Sequence, residues 1–204
     1  MKIESVAFVS SASRAAECPP GAMAEIAVSG RSNVGKSSLL NSLFARKGLV
    51  KVSSTPGKTQ LLNFFLVNGK FHLVDLPGYG YAKAPAGLRN QWARMMQDYL
   101  RTRRQLVGVV QLVDSRHEPS REDREMVQWL REERMPFCLV ATKSDKLGTS
   151  RRQDAVRALA RTLELPESQA RVAHSSETGD GRTALLAWIA EALAVPRAGD
   201  RAAR

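Results

Sequence analysis

The sequence predicts an α/β fold of the P-loop kind: a mostly parallel six-stranded sheet with one antiparallel edge strand and helices on both faces. Three observations carry that prediction. Short apolar runs alternate with longer segments of helical period, which is the pattern of a parallel sheet crossed by helices. The apolar run Ile26-Ala27-Val28 leads directly into Gly30-Arg31-Ser32-Asn33-Val34-Gly35-Lys36-Ser37, a complete G-x-x-x-x-G-K-[ST] phosphate loop with a strand before it and a helix after it. Two further apolar runs are separated only by Asn68-Gly69, a hairpin signal that makes this pair antiparallel.

Taken in order, the first strand is expected at 26–29 and the first helix, opened by the phosphate loop, at 36–45. The hairpin places strands at 61–67 and 70–75, the second of them ending on Phe71-His72-Leu73-Val74. A helix at 87–102 precedes a strand at 107–113. A helix at 121–134 precedes the strand at 137–141, whose core is Phe137-Cys138-Leu139-Val140. A helix at 151–163, a strand at 171–174 and a helix at 182–194 complete the series. Trp92, Trp129 and Trp188 each fall on a predicted helix among apolar neighbours and are expected to pack, not to stack on bases. Residues 1–22 read as an irregular lead-in, 23–195 as one domain, and 196–204 as a disordered tail.

Every polar motif then lies at the carboxyl end of a strand, where open α/β sheets place ligands. Gly30 and Gly35 allow the tight turn that aims successive N–H groups at an anion, and the helix start adds its positive end. Lys36 would contact the β and γ phosphates of a nucleotide, and the Ser37 hydroxyl would ligate Mg²⁺. Asp75-Leu76-Pro77-Gly78 ends a buried strand, so Asp75 can hold Mg²⁺ through water and Gly78 can bring a backbone N–H to the γ-phosphate. In Thr142-Lys143-Ser144-Asp145, the Asp145 carboxylate can accept from guanine N1–H and the N2 amino group, which adenine lacks; this selects GTP. Ser175-Ser176, after His174, could face the guanine O6 with its backbone. The polar segment at 53–60 sits where a loop would close over the γ-phosphate, with Thr55 and Thr59 both candidates for a second Mg²⁺ ligand.

On these residues the sequence resembles the EngB family, also called YihA or YsxC, bacterial GTPases linked to ribosome assembly. The likeness runs through 30–41, 55–65, 75–83, 114–119 and 142–147, and its most particular features are Gly-Tyr-Gly-Tyr-Ala-Lys at 78–83 and Thr142 where Asn is commoner. The resemblance implies hydrolysis of GTP to GDP and phosphate as a molecular switch in assembly of the large ribosomal subunit, needed for normal cell division and septation. A scaffold GTPase acting directly in septation is the alternative. It also implies that Thr59 and not Thr55 joins Ser37 and Asp75 around Mg²⁺, and that Gly57, Lys58, Thr59, Gln60 and Leu61 touch nucleotide. The expected nucleotide contacts are therefore Gly30, Arg31, Ser32, Asn33, Val34, Gly35, Lys36, Ser37 and Ser38 in the first loop, and Asp75, Leu76, Pro77 and Gly78 in the turn. Thr142, Lys143, Ser144, Asp145, His174, Ser175 and Ser176 are the contacts expected around the base. Lys36, Thr59 and Gly78 are the expected catalytic set.

Signalling GTPases place a Gln after the Asp-x-x-Gly turn to orient the attacking water, and here that position is Tyr79. Slow intrinsic turnover is expected, raised by a partner or by a cation. Asn33 is a candidate ligand for K⁺, or else it only shapes the loop turn, and Arg31 aims poorly for a finger. Tyr79, Tyr81 and Lys83 are expected on a partner-reading surface.

Charge is distributed unevenly. Between Gly30 and Gln105 there are thirteen Lys and Arg against Asp75 and Asp98, an excess equal to the +11 of the whole chain. Arg89, Arg94, Arg101, Arg103 and Arg104 are part of it. One-sided charge of this kind suits a polyanion, so ribosomal RNA or a large-subunit precursor is the expected partner. With no long apolar stretch and no lipidation signal, the chain is expected to be cytoplasmic and unattached to membrane, and with no heptad or exposed apolar stripe it is expected to be monomeric. Cys138 reads as core, and neither it nor Cys18 suggests a disulfide or a metal cluster.

Overall fold

Apolar runs rich in Val, Leu and Phe become strands, and amphipathic segments between them become helices that cover both faces of the sheet. The computed structural model describes residues 1–46, 48–50, 61–80 and 86–195. Their elements run β1 (Val6–Ala12), β2 (Ala24–Gly30), α1 (Lys36–Phe44), β3 (Leu62–Val67), β4 (Phe71–Asp75), α2 (Ala86–Thr102), β5 (Leu106–Asp114), α3 (Arg121–Glu132), β6 (Phe137–Thr142), α4 (Thr149–Thr162), β7 (Arg171–Ala173) and α5 (Arg182–Ala194). Single 3₁₀ turns fall at Ala15–Glu17 and Ser144–Lys146.

Among the described residues the sheet has seven strands in the order β1-β3-β4-β2-β5-β6-β7. β3 pairs antiparallel with both neighbours, whereas β4, β2, β5, β6 and β7 are mutually parallel. The antiparallel strand is thus not at the edge, as the sequence suggested, because β1 covers it. The irregular lead-in expected at 1–22 is corrected likewise: it contains β1 and a 3₁₀ turn. Only Val6 and Ala12 of β1 are buried, so the strand lacks the apolar alternation that marks a two-sided one. Phe8 lays its ring edge-on to Phe65 at 5.8 Å while remaining more than half exposed. Asn68, at φ 52° in the β3–β4 turn, fastens the residues before β1: it accepts from Glu4 N and Ser5 N and donates to Lys2 O.

Period-two alternation divides the core between the two faces. Ile26, Val28, Val110 and Leu112 face α1 and α5, where Leu39, Leu40, Leu43, Leu185 and Ile189 are buried. Ala27, Val109, Val113 and Leu139 face α2, α3 and α4, meeting Tyr99, Val127, Leu130 and Leu159. Trp129 packs against the second cluster and Trp188 against the first, as packing residues should. The Trp92 side chain, residues 81–85 and the tail from 196 lie outside the described residues.

The basic half is less uniformly a surface than its charge count suggested. Arg103 is turned inward to Glu25 at 2.6 Å, and Arg101 pairs with Glu133 at 2.9 Å. Among the described residues no helix is long and apolar enough to cross a membrane, and no group of three or more His, Cys, Asp or Glu is placed to hold a metal. Cys18 and Cys138 are free thiols, both buried.

Candidate nucleotide site

β2 delivers the chain into the phosphate loop at Gly30, where a Cβ would stand 2.8 Å from Val34 Cγ1 and 3.0 Å from Leu112 Cβ. Only glycine fits that crossing. Gly35 holds φ 113° before α1 and offers no side-chain cap, which leaves the first N–H groups of the helix to an external acceptor. Ser37 and Ser38, both half-buried, stand in that first turn.

The Lys36 ammonium donates to Gly30 O at 3.1 Å and Arg31 O at 3.3 Å, inside the loop's curve. Burial pulls its pKa below the ordinary lysine value, with Asp75 opposing. Asp75 closes β4, and burial lifts its carboxyl to about 6 despite Lys36. Its Oδ1 is shut from solvent with no hydrogen-bond partner, an orphaned acceptor that suits a ligand bringing positive charge or donors.

Beyond Asp75 the turn folds back over the loop. Leu76 N donates to Val28 O at 3.0 Å, Ser32 N to Tyr79 O at 2.9 Å and Ser32 Oγ to Gly78 O at 3.3 Å. A Cβ at Gly78 would lie 2.8 Å from Lys36 Nζ and 2.9 Å from Ser32 Oγ. Sequence-distant Lys36 and Gly78 therefore meet at one point. Tyr79, expected on an exposed surface, instead sends its hydroxyl inward to Asp123 Oδ1 at 2.8 Å and accepts from Gln111 Nε2 at 2.7 Å.

At the end of β6, Thr142 Oγ1 donates to Val34 O at 2.8 Å. Lys143, in a left-handed conformation, donates to Asn33 O and to Asp114 Oδ2, each at 2.9 Å. Burial would raise the Asp114 pKa, but hydrogen bonds from Arg116 and Lys143 hold it well below the carboxylate range. Asp145 accepts from Ser175 Oγ at 2.8 Å and faces Lys146 at 3.3 Å. Burial is again outweighed by these donors, and its pKa is lowered, so it stands as an ionised acceptor. Ser144 N bonds to His174 O, joining the β6 and β7 loops. Ser175 Oγ also accepts from Glu177 N and Thr178 N, which shapes the loop around the half-buried Ser176.

Several expected contacts are available only through their main chain. Val34 and Leu76 bury their side chains in the two apolar clusters. His174 is 1 % exposed, with Nε2 at 3.5 Å from Ser42 Oγ, and burial brings its pKa down to about 4. Pro77 lies in the turn, Asn33 is exposed at φ 64°, and Leu61 is half-buried at the entry to β3. Gly57, Lys58, Thr59 and Gln60, with Thr55, lie outside the described residues, as do Tyr81 and Lys83.

Sequence reasoning assigned no role to Asp114, Arg116, Gln111, Asp123 or Arg182. Arg182 donates to Ser42 O and Leu43 O at the end of α1, tying the helix after the base loop to the helix after the phosphate loop. For Asp123 a signal existed: Ser120-x-x-Asp123 is a capping-box spacing, and both halves of the box are made at the start of α3.

Known proteins resemble this chain along most of its length. Residues 25–143 match the family model described as 50S ribosome-binding GTPase. The chain is 50% identical over 189 residues to a probable GTP-binding protein EngB of Pelotomaculum thermopropionicum, covering 93% of this chain and 96% of that one. To a probable GTP-binding protein EngB of Geobacter metallireducens it is 47% identical, with 95% of each chain covered. A crystal structure of a probable GTP-binding protein EngB superposes with a TM-score of 0.69 at 26% identity, over 83% of this chain and 98% of the other. Era, crystallised with MgGDPNP and a fragment of 16S ribosomal RNA, shares the fold at a TM-score of 0.67 and 22% identity, over 87% of this chain and 59% of Era. A match of residues 25–143 to this family model, in a sequence about half identical to its relatives over nearly the full length of each, makes the chain a member of the EngB family of GTP-binding, GTP-hydrolysing proteins.

Proposed function

We propose that this GTPase is a switch in assembly of the large ribosomal subunit, in which GTP engages the Asp75–Gly78 turn, and hydrolysis releases the protein from its particle. The observation that carries the reading is the meeting of Gly78 with Lys36, because it puts the turn's backbone beside the cation expected at the β and γ phosphates. The successive N–H groups from Gly30 to Ser38 would cradle the phosphates. Asp145, positioned by Ser175, would accept from the guanine edge, with Ser176 and the His174 and Ser175 main chain beside the base. Asp145→Asn should then weaken guanine and favour xanthine nucleotides; unchanged GTP affinity would sink this assignment.

The orphaned Asp75 oxygen and the Ser37 hydroxyl suit Mg²⁺, with Thr59 joining from outside the described residues. When bound, Mg²⁺ would neutralise charge on the β and γ phosphate oxygens. Since the Tyr79 hydroxyl is committed to Asp123 and Gln111, water orientation would come from elsewhere. A K⁺ held at exposed Asn33 would supply charge stabilisation; otherwise Asn33, at φ 64°, shapes the loop turn alone.

Three findings support a ribosomal partner: the matched family's description, Era's RNA-bound structure, and the excess charge between Gly30 and Gln105. The setting would be cytoplasmic and the protein monomeric. Co-sedimentation with isolated ribosomal subunits in GTP-analogue and GDP buffers, across a salt series, tests the proposal. Analogue-dependent pelleting with the large subunit, weakened by salt, is expected. Pelleting that ignores nucleotide would instead favour a scaffold in septation, and equal hydrolysis in K⁺ and Na⁺ buffers would remove the cation at Asn33.

A further inference from the structure

The hydroxyl of Tyr79 is held by two groups outside the loops that would touch nucleotide. One is Asp123 Oδ1, on the first turn of α3, and the other is Gln111 Nε2, on β5. The tyrosine ring packs on the apolar cluster beneath α2, α3 and α4. Burial, then Asp123, keeps the phenol pKa well above its ordinary value, so it remains a donor at any working pH.

Asp123 serves three segments with one carboxylate that is 3% exposed. Oδ1 takes the Tyr79 hydroxyl. Oδ2 accepts from Ser120 N at 2.9 Å and Ser120 Oγ at 3.0 Å, closing the start of α3, and stands 4.0 Å from Arg31 Nε of the phosphate loop. The Arg31 stem in turn lies along Gly80, where a Cβ would be 3.2 Å from its Cγ. On the main chain, Ser32 holds the carbonyls of Gly78 and Tyr79, and Arg31 and Tyr79 form an isolated parallel bridge. Residue 79 is therefore fixed at both backbone and side chain. The peptide that joins Gly78 to Tyr79 is held by the same anchor.

We propose that Asp123 is a positioning residue for the turn that reads the γ-phosphate: through the Tyr79 hydroxyl it holds Gly78 against Lys36, and so favours a nucleotide that carries a γ-phosphate over one that lacks it. Neither Asp123 nor the Tyr79 hydroxyl is among the expected nucleotide contacts. The inference rests on the switch reading above, in which GTP and GDP are distinguished at Gly78.

The experiment measures GDP and non-hydrolysable GTP-analogue affinities in parallel. Tyr79→Phe keeps the ring and removes the hydroxyl; GDP affinity should stay within about twofold while analogue affinity falls about three- to tenfold, the effect of one buried hydrogen bond. Asp123→Ala should lower the analogue-to-GDP ratio by the same factor, and the double variant no further. Asp123→Asn keeps an oxygen for the tyrosine and should recover most of the ratio. Ser120→Ala removes the cap hydroxyl but keeps Ser120 N on Asp123 Oδ2 and the Tyr79 hydroxyl on Oδ1, and should cost stability without moving the ratio. An unchanged ratio in Tyr79→Phe, equal losses for both nucleotides, or loss of GDP binding altogether would each overturn the proposal in favour of a purely structural bond. If the unaltered chain binds GDP and analogue alike, the switch reading itself fails, while the change in analogue binding of Tyr79→Phe still decides the anchor.

Discussion

Two carboxylates stand on one pair of neighbouring strands, and they are opposite in kind. Glu25, opposite His72 in the β2–β4 register, is fully buried, and Asp75, opposite Val28, lies three residues further along, about 10 Å away. Both Glu25 oxygens are satisfied: the Arg103 guanidinium forks onto them with bonds of 2.6 to 3.1 Å, and the Tyr99 hydroxyl donates at 2.9 Å. Arg103 also donates to Pro19 O, so this network fastens the lead-in to α2. Asp75 has Lys36 nearby and one oxygen with no partner at all. A satisfied buried charge braces a fold; an unsatisfied one costs stability and marks a place where something else is to bind.

The largest test of that contrast is at the brace. Removing one partner by Glu25→Ala or Arg103→Ala should cost about 3–5 kcal/mol in denaturant unfolding, because the other charge is left buried and alone. GDP affinity of the folded fraction should not change. A cost below about 1 kcal/mol would make Glu25 as idle as a surface ion pair and erase the contrast.

The opposite sign is expected at the site. Asp75→Asn should stabilise the ligand-free protein by about 1–3 kcal/mol near pH 8, since it removes a carboxylate that folding disfavours, while abolishing the extra stabilisation given by Mg²⁺ with a GTP analogue. Destabilisation in both conditions would mean that Asp75 is a second brace.

A smaller effect, read in the pH dependence, sharpens the same point. Asp75, raised to about 6, exerts no cost below the ordinary carboxylate range and its full cost above 6, so its contribution falls as pH rises through that window. His174, lowered to about 4, acts oppositely: its contribution is complete above the ordinary histidine value near 6.5 and is lost as pH falls toward 4. The two offset one another between pH 4 and 6. Asp75→Asn should therefore expose a rise of stability with pH in that interval, at most about 1.4 kcal/mol per unit; a flat profile in the variant would remove His174 from the account.

Legibility followed the range of the interaction. The phosphate loop could be read because a backbone that curls around an anion demands Gly30 and Gly35 at a fixed spacing from Lys36 and Ser37. The helices could be read from period and the β3–β4 turn from Asn68-Gly69, with boundaries moved by a residue or two. β1 was missed because one edge strand with a wet face needs little apolar patterning. Tyr79 was misplaced on the surface because its partner Asp123 is 44 residues away, and no local rule links them.

By itself, then, the sequence determined the fold class, the guanine nucleotide, and the order in which the motifs reach the carboxyl edge of the sheet, since each is written in short-range spacing that backbone geometry enforces. Tertiary structure alone decided which buried charges are satisfied. Whether Arg103 is a surface cation or the partner of Glu25, 78 residues distant, and whether Asp75 finds a donor or keeps an empty oxygen, depends on which side chains the packed sheet and helices bring within 3 Å, and that is a property of the assembled core.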